Sequence, residues 1–441
     1  MASRLPSSVP RLPALARLDA LAPRGMKLGL AAIDAVCERL GRPEQTVPSV
    51  LVAGTNGKGS VAATMSAIAA AAGVRAGLYT SPHLTRVNER LRIAETDVSD
   101  EELDARLGPV FRAADAAPEV PLTYFEALTA AAFVAFAESR VELGIFEVGL
   151  GGRFDATNVA PAKLSVVTSI GLDHVEELGP TVESIAREKA GVFRSGRPAL
   201  VGACVDGARR TLGEAARQTG AVLHDAAREL TVSDVATSLD GTRFRLSTPL
   251  GRYELATPLP GAHQAANAAL AARAAELFGE DLPAIPTRAI APGVSRTRWP
   301  GRLERFTVAG RTVLLDGCHN AQAAQALADF LRDADLAGRA VLVFGAMADK
   351  DVESMAAILF PSVAAVRLVT ASNPRAATAE ELVARTSAAR SDSVAASSLE
   401  AALDELLGRP GPDAPPIIVA GSLYLVGEAR EQLLSGRFED A

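Results

Sequence analysis

Residues 49–65 read SVLVAGTNGKGSVAATM, and the order of apolar residues and glycines in this stretch predicts how the chain folds. The apolar run at residues 50–53 predicts a buried β-strand, and the Ala- and Met-rich run after the glycines predicts a helix. A strand, a glycine-rich loop and a helix in this order allow backbone N–H groups and a helix N-terminus to bind phosphate groups. The stretch therefore predicts an α/β fold built on a P-loop-type, mostly parallel sheet.

The loop itself contains the side chains expected of a nucleotide site, and its residues are Gly54, Thr55, Asn56, Gly57, Lys58, Gly59 and Ser60. In such a loop the lysine reaches the β- and γ-phosphates of ATP, and the hydroxyl residue binds Mg²⁺. The standard P-loop has these two residues adjacent, whereas Gly59 separates them here. A plain glycine-rich turn is the alternative, but a strand, three glycines, Lys, Ser and a helix in the right order argue against it.

The composition is that of an ordinary globular protein. A chain of 441 residues with 48% hydrophobic and 22% charged residues is long enough for two or three domains. The net charge of −7 gives no indication of a nucleic-acid partner. The three cysteines are far apart and have no metal-binding spacing, which favours reduced thiols in the cytoplasm. Residues 1–23 are neither a signal peptide nor a membrane span, and we expect them to be partly frayed.

Polar residues follow several predicted strands at their carboxyl ends. Ser60, Ser81, Glu147 and His174 each lie at or just after the end of a separate strand. In an open parallel sheet ligands bind outside these strand ends, so the four side chains should meet at one edge. Glu147 lies in an apolar strand, where a carboxylate is costly to bury unless it is paired or bound to metal. Two serines and a glutamate make a plausible Mg²⁺ site, because Mg²⁺ prefers oxygen ligands.

The remaining chain predicts two further parts. Short alternating strands at residues 229–257 predict a small antiparallel sheet. Residues 26–40 predict a helix, and residues 291–302, with two prolines and two glycines, predict a hinge. Beyond the hinge, strands and helices alternate again, which predicts a C-terminal Rossmann-like α/β domain. We therefore divide the chain into a P-loop domain at residues 1–297 and a second domain at residues 298–441.

Several stretches resemble the folylpolyglutamate synthase and dihydrofolate synthase family of the Mur-ligase superfamily. They are GTNGKGS at 54–60, SPHL at 81–84 with NER at 88–90, GIFEVGLGGRFDATN at 144–158, GAHQAANA at 261–268, WPGR at 299–302 and DGCHN at 316–320. The resemblance extends from about residue 26 to residue 427. The chain departs from the family pattern at Phe154, where the family has Leu, and at Cys318, where Ala is usual.

The resemblance also implies roles for particular residues. It implies that Asn267, Arg302, Asp316 and His319 contact ATP, and that a carbamate on Lys189 binds a second metal ion beside His174. Composition alone favours Lys189 as a solvent-exposed lysine at a helix C-terminus. The resemblance implies a pterin-acid site at Leu28, Gly29, Leu30, His83, Arg86, Leu122, Thr123, Tyr124, Phe125, Phe154, Asp155 and Ala156. A purely structural role for His83, and a core role for Tyr124 and Phe125, remain open alternatives.

The family activity that follows is an ATP-dependent ligase of folate biosynthesis and one-carbon metabolism. The resemblance implies that it joins L-glutamate to dihydropteroate, to a tetrahydrofolate, or to both, through an acyl phosphate. Lys58, His174 and Lys189 are the expected catalytic residues, with ATP and two Mg²⁺ ions as cofactors. The resemblance further implies a cytoplasmic monomer that binds neither nucleic acid nor membrane. The alternatives are a Mur-type ligase acting on another acid, a P-loop ATPase or kinase, and a non-catalytic nucleotide-binding module.

Overall fold

The structure is a computed structural model, and it describes residues 11–22, 29–278, 282–408 and 414–436. These residues form three sheets, two of them large and mostly parallel and one small and antiparallel. The predicted fold class is confirmed: a P-loop domain with a small antiparallel sheet is followed by a second α/β domain. Leu28 lies outside the described residues, so the structure does not place this candidate.

The first sheet holds the strand that leads into the glycine-rich loop at its centre. Its order is β4-β3-β2-β5-β1-β6-β7-β8, with β3 and β4 antiparallel and the rest parallel. All five residues of β1 are buried, as expected for a central strand with helices on both faces. The strands are β1 Ser49–Ala53, β2 Ala76–Tyr79, β3 Leu91–Ile93, β4 Thr96–Asp97, β5 Leu143–Glu147, β6 Leu164–Val167, β7 Pro198–Val201 and β8 Val222–Asp225.

Helices cover both faces of this sheet, and alternate residues of β1 enter opposite cores. Leu51 and Ala53 pack in one core, whereas Val50 and Val52 pack in the other. The helices of this domain are α1 Pro13–Leu21, α2 Ala31–Arg39, α3 Lys58–Ala71, α4 Asp100–Asp115, α5 Tyr124–Glu138, α6 Val175–Leu178, α7 Val182–Lys189, α8 Asp206–Thr219, α9 Ala226–Glu229, α10 Ala262–Glu276 and α11 Ile290–Arg296.

The small sheet packs on the same face as the P-loop helix. Its strands are β9 Thr231–Ser238, β10 Gly241–Ser247 and β11 Arg252–Thr257, and its order is β11-β10-β9. Leu246 and Leu255 of this sheet share a core with Ile68 of α3 and Leu270 of α10. The antiparallel sheet predicted at residues 229–257 is therefore confirmed.

The second domain is built on a six-stranded sheet of order β12-β13-β17-β14-β15-β16, antiparallel only between β12 and β13. Its strands are β12 Arg302–Val308, β13 Arg311–Asp316, β14 Val341–Phe344, β15 Ala365–Leu368, β16 Val394–Ala395 and β17 Ile417–Ala420. Its helices are α12 Ala321–Asp333, α13 Val352–Leu359, α14 Ala379–Thr386, α15 Leu399–Leu407 and α16 Leu423–Leu434.

The structure qualifies two local expectations. Within the stretch expected to be partly frayed, Pro13–Leu21 is ordered, because α1 buries Leu15 and Leu18 completely and its first N–H groups bond the Asp104 carboxylate of α4. The rest of that stretch, apart from Arg11, Leu12 and Ala22, lies outside the described residues. The first half of the predicted hinge, residues 291–302, is helical because α11 extends to Arg296. Gly293 permits this packing, since a Cβ there would lie 2.4 Å from the Ile68 Cα of α3.

Candidate active site

The glycine-rich loop has the predicted geometry, and its glycines are required by close approaches. α3 begins at Lys58 with Gly57 as its N-cap, at a φ of 85°. A Cβ at Gly54 would lie 1.9 Å from Thr168 Oγ1, and a Cβ at Gly59 would lie 2.5 Å from the Trp299 ring. The glycine that separates Lys58 from Ser60 therefore leaves room for the hinge tryptophan.

A polar cavity of about 120 Å³ lies over this loop at the carboxyl edge of the first sheet. The five residues predicted to bind metal all line it, although they come from five separate parts of the chain. These residues are Ser60, Ser81, Glu147, His174 and Lys189. The rest of the lining is residues 54–59, Pro82, residues 148–151, Asp173, Leu178, Arg302, His319 and Leu423. The sequence prediction that these side chains share one sheet edge agrees with this arrangement.

Three oxygen atoms at the cavity are suited to a hard cation. Glu147 is 5% exposed, and its Oε2 accepts a hydrogen bond from the Ser81 N–H at 3.1 Å. Within the described residues, Glu147 Oε1 and the hydroxyls of Ser60 and Ser81 have no hydrogen-bond partner. Burial raises the pKa of the Glu147 carboxyl, while the nearby Lys58 charge acts in the opposite direction. A bound cation would favour the ionised form of this carboxylate.

The side chains at this cavity supply too few ligands to bind a metal ion without help from a bound substrate. In the part of the chain that the structure describes, no three His, Cys, Asp or Glu side chains form a metal-binding cluster. A metal ion at this edge would therefore use the serine hydroxyls, Glu147 and oxygens of a bound ligand. This pattern suits Mg²⁺, which keeps several waters and is commonly held by one or two carboxylates together with substrate phosphates.

Lys189 is buried at the end of α7, so the solvent-exposed alternative favoured by composition is wrong. It is 5% exposed, and its Nζ donates to the Gly54 carbonyl at 2.9 Å. Lys58 Nζ donates to the same carbonyl at 3.1 Å. Burial, with a further contribution from Lys58, lowers the pKa of Lys189 to about 7. A substantial fraction of Lys189 is therefore a neutral, nucleophilic amine at neutral pH.

A second cavity of about 450 Å³ adjoins the first and lies between the two domains. Asn267, Arg302, Asp316 and His319, which the family resemblance assigns to ATP, all line it. Its walls are otherwise largely apolar, with Leu230, Leu270, Ala323, Ala326 and Leu327 among them. Arg302 and His319 line both cavities, so the two lie next to each other.

Asp316 also has a structural task at the start of the second domain. Its Oδ2 accepts the Leu303 N–H at 3.1 Å and its Oδ1 accepts the Cys318 N–H at 3.0 Å. Leu303 has a φ of 50°, in the left-handed region, within an irregular part of the β12–β13 pairing. The Asp316 carboxylate therefore holds the turn by which the chain enters the second domain.

Of the predicted pterin-acid residues that the structure describes, none lines either cavity, and many are already engaged within the protein. Asp155 accepts four hydrogen bonds from its own loop, from Gly149 N, Leu150 N, Thr157 N and Thr157 Oγ1. Thr123 is the N-cap of α5 and forms a capping box with Glu126. Leu122 and Ala156 are buried in the first core, and Leu30, Tyr124 and Phe125 pack against it. Their direct contact with substrate stays a prediction, as it does for the loop residues Gly29 and Arg86.

Two other members of that set have distinctive surroundings. His83 Nδ1 accepts a hydrogen bond from Arg90 Nε at 2.9 Å, and the Arg90 guanidinium stacks over the Tyr124 ring at 5.3 Å. Burial, with a contribution from the Arg90 charge, lowers the pKa of His83 to about 3. His83 is therefore neutral at physiological pH. Phe154 is 45% exposed, an unusual exposure for a large apolar side chain beside a buried loop.

Sequence reasoning missed the residues through which the two domains touch at this site. Lys350 Nζ bonds Asp173 Oδ1 at 2.7 Å, and the amides of Asn56 and Asn320 bond each other at 3.1 and 3.2 Å. The sequence did contain one indication that these residues lie at the carboxyl ends of strands. Asp173 and Asn320 follow the predicted strands 164–170 and 313–315, and Lys350 lies beyond the strand at 340–344. Their partners, 177 and 264 residues away, could not be read from the sequence.

None of the described helices is long and apolar enough to span a membrane. Residues 52–275 match the Mur ligase middle domain, and residues 301–423 match the Mur ligase glutamate ligase domain. The chain is 35% identical to the dihydrofolate synthase/folylpolyglutamate synthase of Bacillus subtilis over 422 residues, which cover 93% of this chain and 96% of that protein.

Solved structures resemble the whole chain as well. A Mycobacterium tuberculosis folylpolyglutamate synthase complexed with ADP is 31% identical, with a TM-score of 0.87 and coverage of 95% of this chain and 98% of that one. A bifunctional folylpolyglutamate synthase/dihydrofolate synthase with Mn, AMPPNP and L-glutamate bound is also 31% identical. Its TM-score is 0.83, and the match covers 96% of this chain and 98% of that one.

Proposed function

Because this chain belongs to the dihydrofolate synthase/folylpolyglutamate synthase family of Mur ligases, we propose that it joins L-glutamate to the carboxylate of dihydropteroate and of reduced folates. Family membership makes it an ATP-dependent ligase. The observation that carries the proposal for this chain is the shared cavity. Lys58, Ser60, Ser81, Glu147 and Lys189 converge there over a glycine-rich loop.

We place ATP across the two adjoining cavities. The apolar cavity between the domains suits the base and ribose, and the polar cavity over Gly54–Ser60 suits the phosphates. In this orientation Lys58 and Arg302 approach the γ-phosphate from opposite domains. Their charges would neutralise the phosphoryl group as it moves to the acid substrate.

Mg²⁺ fits the oxygen-rich edge, and we assign the first ion to Ser60, Ser81 and Glu147. When bound, Mg²⁺ neutralises charge on the transferring phosphoryl group and holds it in line. We assign a second ion to His174 and to a carbamate on Lys189. Support for the carbamate comes from the burial of Lys189 and its lowered pKa, because only the neutral amine reacts with CO₂. The product carries two anionic oxygens, whereas an ammonium group would repel a cation.

The reaction then needs no nucleophilic side chain. One oxygen of the substrate carboxylate attacks the γ-phosphorus, and ADP leaves, which gives an acyl phosphate. The amino group of glutamate attacks the acyl carbon, and the tetrahedral intermediate expels inorganic phosphate to leave an amide. The chain's residues bind, orient and neutralise charge during both steps. Cys318 is buried and its pKa is raised by burial and Asp316, which argues against a covalent role.

The acid substrate would approach along the loop and helix that carry His83, Arg86 and Phe125. Because the Nδ1 of neutral His83 accepts from Arg90, its proton lies on Nε2, which can donate a hydrogen bond to the substrate without a charge of its own. The exposed Phe154 offers a ring against which a flat pterin could stack. We propose that the enzyme works in the cytoplasm as a monomer. Whether it prefers dihydropteroate or a folate is the question that the experiment below answers.

The experiment is a substrate panel with ATP and labelled glutamate. Dihydropteroate, tetrahydrofolate and its 10-formyl and 5,10-methylene forms are each offered, with omission of either the acid or glutamate as the control. We expect ADP release that depends on both the acid and glutamate, together with a labelled amide product. ADP release that needs neither would instead identify an ATPase, and ligation of glutamate to a non-pterin acid alone would identify another Mur-type ligase.

A further inference from the structure

Asp173 belongs to the first domain, but its carboxylate is bonded mainly by the second. Lys350 Nζ donates to Oδ1 at 2.7 Å, Asn320 Nδ2 donates to Oδ2 at 3.1 Å, and His319 Nε2 lies 3.7 Å from Oδ2. The Lys350 and Asp173 side chains are only 15% and 10% exposed. Solvent therefore screens this ion pair much less than it screens a surface pair.

The same carboxylate oxygen holds the backbone of the next residue. Asp173 Oδ1 also accepts the His174 N–H at 3.0 Å. His174 has a φ of 51°, in the left-handed region, and precedes the four-residue helix α6. Leu172 and Val175 on either side are 57% and 45% exposed, so this turn has little packing of its own. Thr55 holds Gly171 before the turn and Leu178 is buried after it, so at residues 172–175 Asp173 is the side chain that fixes the backbone.

A second contact ties the glycine-rich loop to the same part of the second domain. Asn56 donates to Asn320 Oδ1 at 3.2 Å and to Gln322 Oε1 at 2.9 Å, and it accepts from Asn320 Nδ2 at 3.1 Å. Asn320 also caps α12 by accepting the Ala323 N–H. The start of α12 therefore touches both the phosphate loop and the turn that carries His174.

We propose that Lys350 is a positioning residue. From the second domain it fixes Asp173, and through Asp173 it fixes the turn that presents His174 to the polar cavity. When the domains close, Lys350 reaches Asp173, and the same movement therefore sets the position of His174 in the cavity. The structural part of this inference stands on the contacts alone, and only its kinetic consequence rests on the proposed ligase function.

Hydrogen exchange of the full-length protein with saturating AMPPNP and dihydropteroate, under which we expect the domains to be closed, tests the structural part. In Lys350→Met we expect the amides of residues 174–178 to exchange at least about tenfold faster, while the core of the first sheet is unchanged. Lys350→Arg should restore most of the protection. Arg367→Met is the matched control, because the Arg367 side chain is about as exposed as that of Lys350 and forms a 2.8 Å ion pair with Glu405 inside the second domain. It should leave residues 174–178 unaffected.

Kinetics of the same variants test the consequence. We expect Lys350→Met to lower kcat by about tenfold or more, with each substrate KM changed less than about threefold. Unchanged exchange at residues 174–178, or faster exchange throughout the chain, would overturn the proposal. So would a raised KM for glutamate alone with kcat unchanged, which would make Lys350 a substrate contact. If the wild-type protein does not ligate, the proposed function fails, and the exchange result still decides the positioning role.

Discussion

The two large sheets present their carboxyl edges to the same space but contribute different chemistry. The first edge brings Lys58, Glu147 and Lys189 to one polar cavity, where two of these three groups are almost fully buried. The second edge contributes Arg302 and side chains that form hydrogen bonds with the first domain, including Lys350 and Asn320. On the function and the positioning role that we propose, the first edge carries the phosphoryl chemistry and the second edge controls when that site is assembled.

The largest expected effect comes from the phosphate loop. Lys58→Ala removes a cation from the transferring phosphoryl group, and we expect kcat/KM for ligation to fall by about a thousandfold or more. Lys163→Ala is the control, because Lys163 precedes β6 at the opposite end of the same sheet. Steady-state ligation and thermal melting of both variants are the measurements. Near-wild-type turnover of a folded Lys58→Ala variant would contradict the proposal that this loop binds the phosphates of ATP.

The next effect concerns the two ends of β5. Glu147→Gln should lower turnover by about a hundredfold or more, because a neutral amide cannot replace the buried carboxylate as an Mg²⁺ ligand. Excess Mg²⁺ should restore little. Glu142→Gln, at the amino end of the same strand, should leave turnover within about twofold of wild type. If Glu147→Gln keeps both its activity and its Mg²⁺ dependence, Glu147 is only a core residue.

Lys189 tests whether the first edge is completed by a modified side chain. Lys189→Ala should be nearly inactive, and acetate should partly rescue it by supplying a carboxylate. A pKa of about 7 means that the neutral fraction of the amine rises with pH. At fixed dissolved CO₂, reactivation of decarbamylated enzyme should therefore speed up roughly tenfold from pH 6 to pH 8 and then level off. Full activity of Lys189→Ala, or an unmodified Lys189 in bicarbonate-labelled NMR of the active enzyme, would refute the carbamate.

The smallest expected effect is a change of shape at the second edge. Arg302 and Asp316 lie beyond the hinge and Lys58 lies before it, so one ATP can contact all three only when the domains are closed. We expect ATP with an acid substrate to reduce the radius of gyration in solution scattering, towards the value calculated from this structure. An unchanged profile, with ligand binding confirmed separately, would contradict a closing interface.

The sequence predicted those parts of the site that are encoded in contiguous residues or at strand ends. The phosphate loop is an example, because residues 49–65 contain the strand, the glycines and the helix together. Glu147 is another, since one carboxylate in an apolar strand needs a special reason to be there. Family resemblance was needed for Lys189, because the sequence around it is that of a surface helix end. Its burial arises from tertiary contacts, with its backbone against Gly152 and its Nζ on the Gly54 carbonyl.

Contacts between the domains could not be predicted in the same way. The Lys350–Asp173 pair joins two ordinary charged residues 177 positions apart, and many other pairings of charges are equally compatible with the sequence. The helix α11 was missed for a different reason. Pro292 and Gly293 indicate a break, but Pro292 lies in the first turn, where its missing N–H costs nothing, and Gly293 is needed for close packing on α3.

The most direct test of the central claim follows oxygen from the acid to phosphate. Dihydropteroate labelled with ¹⁸O in its carboxylate is converted with ATP and glutamate, and the inorganic phosphate is analysed by mass spectrometry. If the first edge transfers the γ-phosphoryl group to the substrate carboxylate, each amide formed releases one phosphate that carries one ¹⁸O atom. Amide formation with unlabelled phosphate would contradict the acyl phosphate, and with it the role that we assign to the cavity over the glycine-rich loop.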